Sequence, residues 1–430
     1  MRALGIHTIC LGLLLSGLLP GSGAGQLTPS SAAMLGTANN YTALAKGFSA
    51  MSLNPAGLGM PSSPSFSLAL FPVTGSQSLS PISLSNLPEF SGELIPEATT
   101  NAWLDEIASQ GAERGGVGAD LTFLAFNAGP VGFQASTLVR ARAEMNEDAA
   151  ELVLFGNAGR TGVAEDFDLE GSRMNSMAVS TFGVGFGVPL MVSEGPGPKE
   201  ALAIGVTLKY SLGNALLLAE DAGSEIRGDP VEVAITFPMI QSDTADFDPN
   251  HGSGFGLDLG VAWNSGPWAM GAAVLNLFHT FQWDLDGMFY RSGEAFFDDD
   301  GSESNFDAEP GALAPQSIRD AVEEMRFKPQ ISFGLAYEAS EDLSVTGDVR
   351  KRMGEGIQVG PEFHAGIGLE YRGIGFLPLR VGAAKITDGF QFGGGLSLGL
   401  GPVYLSGAGS LLKGDVDGGV ASFSISFGGY

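Results

Sequence analysis

The chain has 430 residues, of which 44% are hydrophobic, and this length suits one large barrel or two to three soluble domains. Its 48 acidic residues outnumber its 21 basic residues, so the net charge of −27 would repel a phosphate backbone and argues against nucleic acid as a partner. The single cysteine, Cys10, lies in the N-terminal apolar run. The remainder of the chain therefore has no thiol for a disulfide, a zinc site or covalent catalysis.

Residues 1–24 have the pattern of a cleaved secretory signal peptide. Arg2 supplies the positive charge, Ile9 to Leu19 form the apolar core, and Pro20 ends it. The small residues at 22–24 fit a cleavage site, which makes Gly25 the first residue of the mature protein. The apolar run is shorter than the roughly 20 residues that a membrane anchor helix needs, so the signal-peptide interpretation is preferred.

Two segments beyond residue 60 depart from a strand pattern. Pro96 to Gln110 places Trp103 and Ile107 near one helical face, which predicts a short helix in a loop or in the lumen. Phe296 to Pro315 contains the polar run DDDGSESNFDAEP and is predicted to be a mobile surface loop.

Most of the remaining chain alternates apolar and polar or small residues with a period of two. Clear examples are residues 202–210, 255–263, 331–337 and 363–371. This period is typical of strands with two unlike faces. Because no stretch of 18 or more apolar residues follows residue 25, a membrane could be crossed only by strands.

A soluble β-sandwich would show the same alternation. The predicted barrel is favoured because Gly, Ala and Ser crowd the polar face, as a packed lumen requires. Aromatic residues also lie near the ends of apolar faces, where an interfacial girdle would lie, at Tyr210, Trp263, Tyr337 and Tyr371. The sequence therefore predicts an all-β fold, a transmembrane antiparallel β-barrel of about 14 strands that occupies residues 61–430.

Four charged residues fall on the predicted lumenal face of successive strands: Asp348, Arg350, Glu370 and Arg380. An arginine facing hydrocarbon would cost about 2 to 4 kcal/mol at the membrane midplane, so an inward orientation is expected. We expect at least one carboxylate to pair with an arginine. The ladder is either a structural pairing or the lining of a permeation path.

The last strand alternates Phe423, Ile425 and Phe427 with serines, and the chain ends at Tyr430. An aromatic terminus of this kind is typical of barrels inserted by the outer-membrane assembly machinery, although Tyr430 is out of phase with the apolar face. These four residues are the predicted insertion signal. The sequence predicts no catalytic residues, no metal ligands and no cofactor, because neither a nucleophile elbow nor metal-ligand spacing of histidines occurs.

The segment ALAKGFSAMSLNPAGLGM, residues 43–60, resembles the N-terminal signature of FadL-like outer-membrane barrels, a superfamily with TodX-like and PorV-like members. Further similar segments are LVLFGN at 152–157, IGVTLKY at 204–210 and LPLRVG at 377–382, so the chain resembles a bacterial branch of this superfamily over nearly its whole mature length. The signature residues are Asn54, Pro55, Ala56, Gly57 and Leu58.

The resemblance implies a barrel of 14 strands with residues 25–60 folded inside as a hatch before a first strand near Ser65 to Phe71. It also implies passive transport of small hydrophobic or amphipathic molecules, or alternatively the non-transporting secretion-partner role of PorV-like members. The expected location is the bacterial outer membrane. The expected partners are its lipid and lipopolysaccharide, the outer-membrane assembly machinery and a small hydrophobic ligand.

Overall fold

The computed structural model describes residues 26–83, 86, 90–193, 200–243, 250–354, 356–357, 359–415 and 417–429. The predicted signal peptide, Gly25 and Tyr430 lie outside the described residues. None of the described helices has the length and apolar character needed to span a bilayer.

Within the described residues, fourteen antiparallel strands close into a barrel. They are β1 (Phe66–Ser80), β2 (Ala112–Ala128), β3 (Val131–Asn146), β4 (Arg173–Val192), β5 (Glu200–Glu220), β6 (Gly252–Ser265), β7 (Trp268–His279), β8 (Gln330–Glu338), β9 (Leu343–Arg352), β10 (Phe363–Tyr371), β11 (Leu379–Ile386), β12 (Gly389–Leu400), β13 (Val403–Gly414) and β14 (Gly418–Phe427). Each strand pairs with the next in the chain, and β1 pairs with β14 to close the barrel. The predicted strand number and closure are confirmed.

The outward face is apolar, as the alternation predicts. Outward side chains such as Val261, Val349, Ile367, Val381 and Phe392 are exposed. This apolar band suits contact with lipid tails, which a closed barrel permits because it has no unpaired edge.

The two ends of the barrel differ in the length of their connections. At the short-turn end, β6 joins β7 and β12 joins β13 through two residues each. At the long-loop end lie helices α3 (Glu97–Gln110) and α4 (Glu147–Phe155) and a 50-residue insertion, residues 280–329, between β7 and β8. The predicted helix within Pro96 to Gln110 is confirmed as α3, in a loop.

The insertion contains helix α5 (Gln316–Glu324) and short strands that extend the barrel sheet. Those strands are Gln282–Trp283, Met288–Arg291 and Glu309–Pro310, and they join the strand Met239–Ser242 from the loop after β5. The insertion also contains 3-10 turns at Leu285–Gly287 and Gly311–Leu313. The insertion contributes to a buried apolar cluster with inward side chains of β3 to β5. We call this set the cap cluster: Leu138, Met177, Val179, Leu216, Ile240, Phe281, Trp283, Met288, Ala314, Val322, Phe327 and Ile357.

The segment from Phe296 to Pro315, predicted to be a mobile surface loop, lies at the surface but contains strand structure that was not predicted. A second sheet runs in the order Gly301–Asn305, Glu294–Asp298, Val231–Thr236, Glu225–Gly228 and Phe167–Asp168. The acidic run makes the hairpin turn of this sheet, because the Asp298 side chain accepts hydrogen bonds from the backbone N–H groups of Asp300 and Gly301. The pairing partner, Val231–Thr236, comes from another loop and so left no local signal.

Candidate functional site: the lumenal hatch

Residues 26–60 lie inside the barrel toward the short-turn end, and we call them the hatch. The segment contains helices α1 (Ala32–Gly36) and α2 (Ala50–Leu53) and 3-10 turns at Gly47–Ser49 and Pro55–Gly59. Most of its residues are buried, including Phe48 and Met51. The first strand begins at Phe66, as expected, but continues to Ser80, well beyond the predicted end at Phe71.

The hatch signature forms a capped turn against the barrel wall. The Asn54 side chain accepts a hydrogen bond from the Ala56 backbone N–H (3.2 Å) and donates one to the Val261 carbonyl (3.0 Å). Pro55 occupies the first turn of the 3-10 helix, where a missing N–H costs nothing. A side chain at Gly57 would collide with the Ala45 carbonyl, which explains the glycine. The resemblance pointed to residues 54–58 as the hatch signature. That these residues take part in gating stays a prediction.

The barrel wall that contacts the hatch signature has glycine at three positions. A Cβ atom at Gly205 would overlap the Pro55 backbone, and one at Gly260 would overlap the Asn54 side chain. A Cβ atom at Gly187 would likewise overlap Gly59. These three residues lie on adjacent strands β4, β5 and β6, so we call them the glycine wall. The hatch backbone touches the barrel backbone there, which only glycine permits.

Two of the four charged residues predicted to face the lumen, Asp348 and Arg350, bind the other side of the hatch. One oxygen of Asp348 accepts hydrogen bonds from the Tyr41 N–H (3.1 Å), the Thr42 N–H (3.0 Å) and the Thr42 hydroxyl (2.6 Å). Arg350 donates to the Asn39 carbonyl (3.0 Å). Both side chains face the lumen, and both bind the hatch.

The remaining ladder residues bind each other within the wall. The Arg380 guanidinium lies 2.7 Å from the Glu370 carboxylate and donates to the Ser397 hydroxyl (2.8 Å). The structure thus places two ladder residues on the hatch and joins the other two as an ion pair. Whether any of them lines a permeation path stays a prediction.

Sequence reasoning missed two features of the lumen. His364, in phase with Glu370 on β10, lies 3.1 Å from the Asn40 side-chain oxygen of the hatch through its Nε2 atom. Lys209 and Asp258 form a buried ion pair (2.5 Å), and both side chains are at most 2% exposed. The alternation placed both on polar faces, but the register between β5 and β6 was needed to bring them together.

The turn that carries these contacts has an unusual backbone. Ala38 and Asn39 have positive φ angles of 51° and 63°. For a residue with a side chain this region costs free energy, and such residues often mark functional segments. Arg350 contacts Asn39 within this turn, and Asp348 contacts Tyr41 and Thr42 just after it, so both side chains stabilise the turn.

A groove of about 410 Å³ lies on the outer surface opposite the glycine wall. Outward side chains line it, among them Phe186, Val188, Ile204, Leu259 and Val261. Because Gly205 and Gly260 also border the groove, a single backbone layer separates it from the hatch signature.

The last strand presents the predicted insertion signal to the outside. Phe423, Ile425 and Phe427 are exposed on the outer face of β14. This orientation suits membrane insertion, but recognition by the assembly machinery stays a prediction.

Solved structures of membrane channels resemble the chain along most of its length. The toluene transporter TbuX of Ralstonia pickettii is 14% identical, covers 93% of this chain and 97% of its own, and has a TM-score of 0.48. A Pseudomonas aeruginosa FadL homologue is 12% identical, with 95% and 99% covered and a TM-score of 0.45. A TodX deltaS2S3 mutant, a monoaromatic hydrocarbon channel, is 12% identical, with 88% and 93% covered and a TM-score of 0.50. The TodX variant shows that the chain shares the fold of this channel, as the resemblance to a superfamily with TodX-like members predicted.

A search of curated proteins gives no match for the chain. A family model described as the F plasmid transfer operon TraF protein matches residues 97–349. The match extends from α3 into β9 and covers more than half of the chain, which therefore belongs to this family.

Proposed function

We propose that this protein is an outer-membrane barrel that passes small hydrophobic or amphipathic molecules, with the hatch as its gate. The observation that carries the proposal is the glycine wall, which separates the hatch signature from an apolar outer groove by one layer of backbone. Movement of the signature away from this wall would widen the lumen along the inner face of β4, β5 and β6, where the strands stay paired at Gly187, Gly205 and Gly260.

The geometry of the contact favours a movable hatch. Backbone lies against backbone at the glycine wall, so little apolar side-chain surface is lost when the two separate. The attachments of Asn39 to Thr42 are hydrogen bonds to lumenal side chains, which water could replace after release. The segment Asn39 to Thr42 is thus held by polar contacts, whereas Phe48 adds a small apolar contact with the barrel wall.

The apolar groove supports a hydrophobic cargo. Its outward side chains are aliphatic or aromatic at nearly every position, and its volume fits a small organic molecule. The TodX variant of the same fold is a monoaromatic hydrocarbon channel, which makes such compounds the first cargo to test. We place the protein in the outer membrane, in contact with lipid and lipopolysaccharide, after insertion by the assembly machinery.

A reversible lock tests the gate. Ala56 of the hatch and Ala203 of β5 lie in one buried cluster, so an A56C/A203C variant could bind the hatch to the wall by a disulfide. We expect oxidation to abolish uptake of a fluorescent hydrophobic tracer into proteoliposomes and reduction to restore it. The single variant A56C is the matched control. Equal uptake in the oxidised and reduced double variant, with the disulfide verified by mass spectrometry, would refute the gate.

Deletion of residues 26–60 tests the same gate in the opposite direction. The shortened chain should keep its barrel, because the strand pairing is independent of the hatch. Its conductance in planar bilayers should rise well above that of the full chain. An unchanged conductance of a folded barrel would contradict the proposal.

The long-loop end supports a secretion-partner role as the second candidate. The cap cluster fills this part of the lumen with side chains, and the second sheet presents exposed Phe296 and Phe297. A lumen narrowed by apolar side chains, together with an exposed aromatic surface, suits a barrel that binds another protein. If the reduced lock variant takes up no tracer and the hatch deletion conducts no better than the full chain, this candidate replaces the first.

A further inference from the structure

Part of the lumen near the long-loop end is polar and accessible to solvent. It lies on the inner face of β14, β1, β2 and β3, beside the cap cluster. Its lining, which we call the polar pocket, consists of Thr74, Ser76, Ser78, Arg140, Arg142 and Ser422. Arg142 is exposed and the three β1 hydroxyl residues are half-buried, so solvent reaches the interior here.

Two glycines create the space over which the arginines extend. A Cβ atom at Gly118 would lie 2.6 Å from the Ser76 hydroxyl and 3.1 Å from the Arg140 guanidinium. One at Gly116 would lie 3.0 Å from the Ser78 hydroxyl and 3.8 Å from Arg142. Ser76 and Ser78 of β1 and the arginines of β3 therefore face the same space across two glycines of β2.

The two arginines differ in their partners. Arg140 forms an ion pair with Asp120 (2.7 Å) and donates to the Val139 carbonyl (2.8 Å), so it is fixed in place. Arg142 has no hydrogen bond or ion pair with any described residue. Its charged neighbours are the like charges Arg140 and Arg352 and, with a smaller effect, the carboxylate of Asp388. The Arg142 guanidinium therefore lies in a solvent-accessible part of the lumen beside two like charges and without a carboxylate partner, so a bound anion would balance its charge.

We propose that the polar pocket binds a small hydrophilic oxyanion, a carboxylate or a phosphate, on the Arg142 guanidinium and the neighbouring hydroxyl groups. The planar guanidinium matches both oxyanions through two parallel hydrogen bonds, and Ser76 and Ser78 add neutral donors. The site is distinct from the apolar groove and from the hatch contacts, so it goes beyond the proposed passage of hydrophobic molecules. A protein with a net charge of −27 thus carries a positive interior pocket.

Calorimetric titration of the purified full chain in uncharged detergent tests the site without any transport step. The ligands are inorganic phosphate, succinate, octanoate and the neutral polyol erythritol. We expect phosphate or succinate to bind and erythritol not to bind, and the tighter of the two anions identifies the oxyanion chemistry. Octanoate should bind no more tightly than succinate, because the polar lining offers its tail no apolar partner.

Variants assign the binding to Arg142. R142Q should weaken anion binding by about tenfold or more, because a charge-assisted contact is lost. R142K should fall between R142Q and the wild type, since lysine keeps the charge but not the fork. R227Q, on the second sheet, removes the same charge elsewhere and should bind like the wild type.

Circular dichroism and heat-dependent electrophoretic mobility establish that each variant is folded. The proposal is overturned if the folded wild type binds neither anion, or if R142Q and R227Q bind equally well. Octanoate binding much more tightly than succinate would also overturn it, since the pocket would then be an apolar site.

Discussion

In the short-turn half of the lumen, hatch backbone lies against glycines and against hydrogen-bonding side chains, whereas in the long-loop half large apolar side chains fill the space beside the polar pocket. The glycine wall contributes little buried apolar area, but the cap cluster buries aromatic and aliphatic groups such as Phe281, Trp283 and Phe327. Burial of apolar surface is the main source of stability, so the two halves should respond differently to substitution. The cap half should determine global stability, and the hatch half should determine local opening.

The largest effect is expected for Trp283→Ala in the cap cluster. The indole packs on Gly213 of β5 and donates to the Met325 carbonyl (2.6 Å). Truncation of a buried tryptophan costs about 3 to 5 kcal/mol, so the free energy of unfolding should fall by that amount in a urea titration followed by circular dichroism. Hydrogen exchange of the hatch should not change.

The exposed Phe297 on the second sheet supplies the control. F297A removes a large aromatic from a solvent-accessible position and should change the free energy of unfolding by about 0.5 kcal/mol or less. A loss in W283A no larger than that in F297A would show that the cap cluster does not stabilise the barrel.

A smaller and local effect is expected for Asp348→Ala. The change leaves two backbone N–H groups and the Thr42 hydroxyl without their acceptor and removes the carboxylate next to Arg350. Hydrogen bonds to a charged group contribute about 1.5 to 3 kcal/mol, so hatch opening should be easier by about that amount. Hydrogen exchange of residues 38–42 should accelerate, while the exchange of β9 stays close to that of the wild type.

Glu341→Ala tests the specificity of that effect. Glu341 is exposed in the turn between β8 and β9, so its removal takes away one negative charge on the same hairpin without touching the hatch. Similar exchange rates for the hatch in D348A and E341A would show that the Asp348 contacts do not hold it.

The sequence predicts features that depend on local periodicity. The inward orientation of Glu370 and Arg380 follows from their outward neighbours Leu369 and Val381, and the structure places them 2.7 Å apart. The helix α3 follows from its own spacing of apolar residues. In each case the physical cause lies within about ten residues of chain, where a pattern is readable.

Features that depend on pairing between distant segments were not predictable. The Lys209 and Asp258 ion pair needs the register of two strands, and the strand Glu294–Asp298 needs a partner from residues 231–236. The glycine wall is similar, because each glycine is explained only by the hatch residue that lies on it. Single-sequence periodicity shows which face a residue occupies but not what it touches there.

The smallest effect is expected for Asn54, where two hydrogen bonds can be separated by substitution. Asn54→Ala removes both the cap on the Ala56 N–H and the bond to the Val261 carbonyl, while Asn54→Ser keeps a capping oxygen but is too short to reach Val261. Loss of a helix cap costs about 1 kcal/mol, so hatch protection in hydrogen exchange should decrease from the wild type to N54S and further to N54A. Because the signature also rests on the glycine wall by shape, neither variant should release the hatch fully. Equal protection in N54S and N54A would mean that the cap contributes nothing. A complete release of the hatch in N54A would mean that the Asn54 side chain holds the hatch in the lumen more strongly than the fit against the glycine wall does.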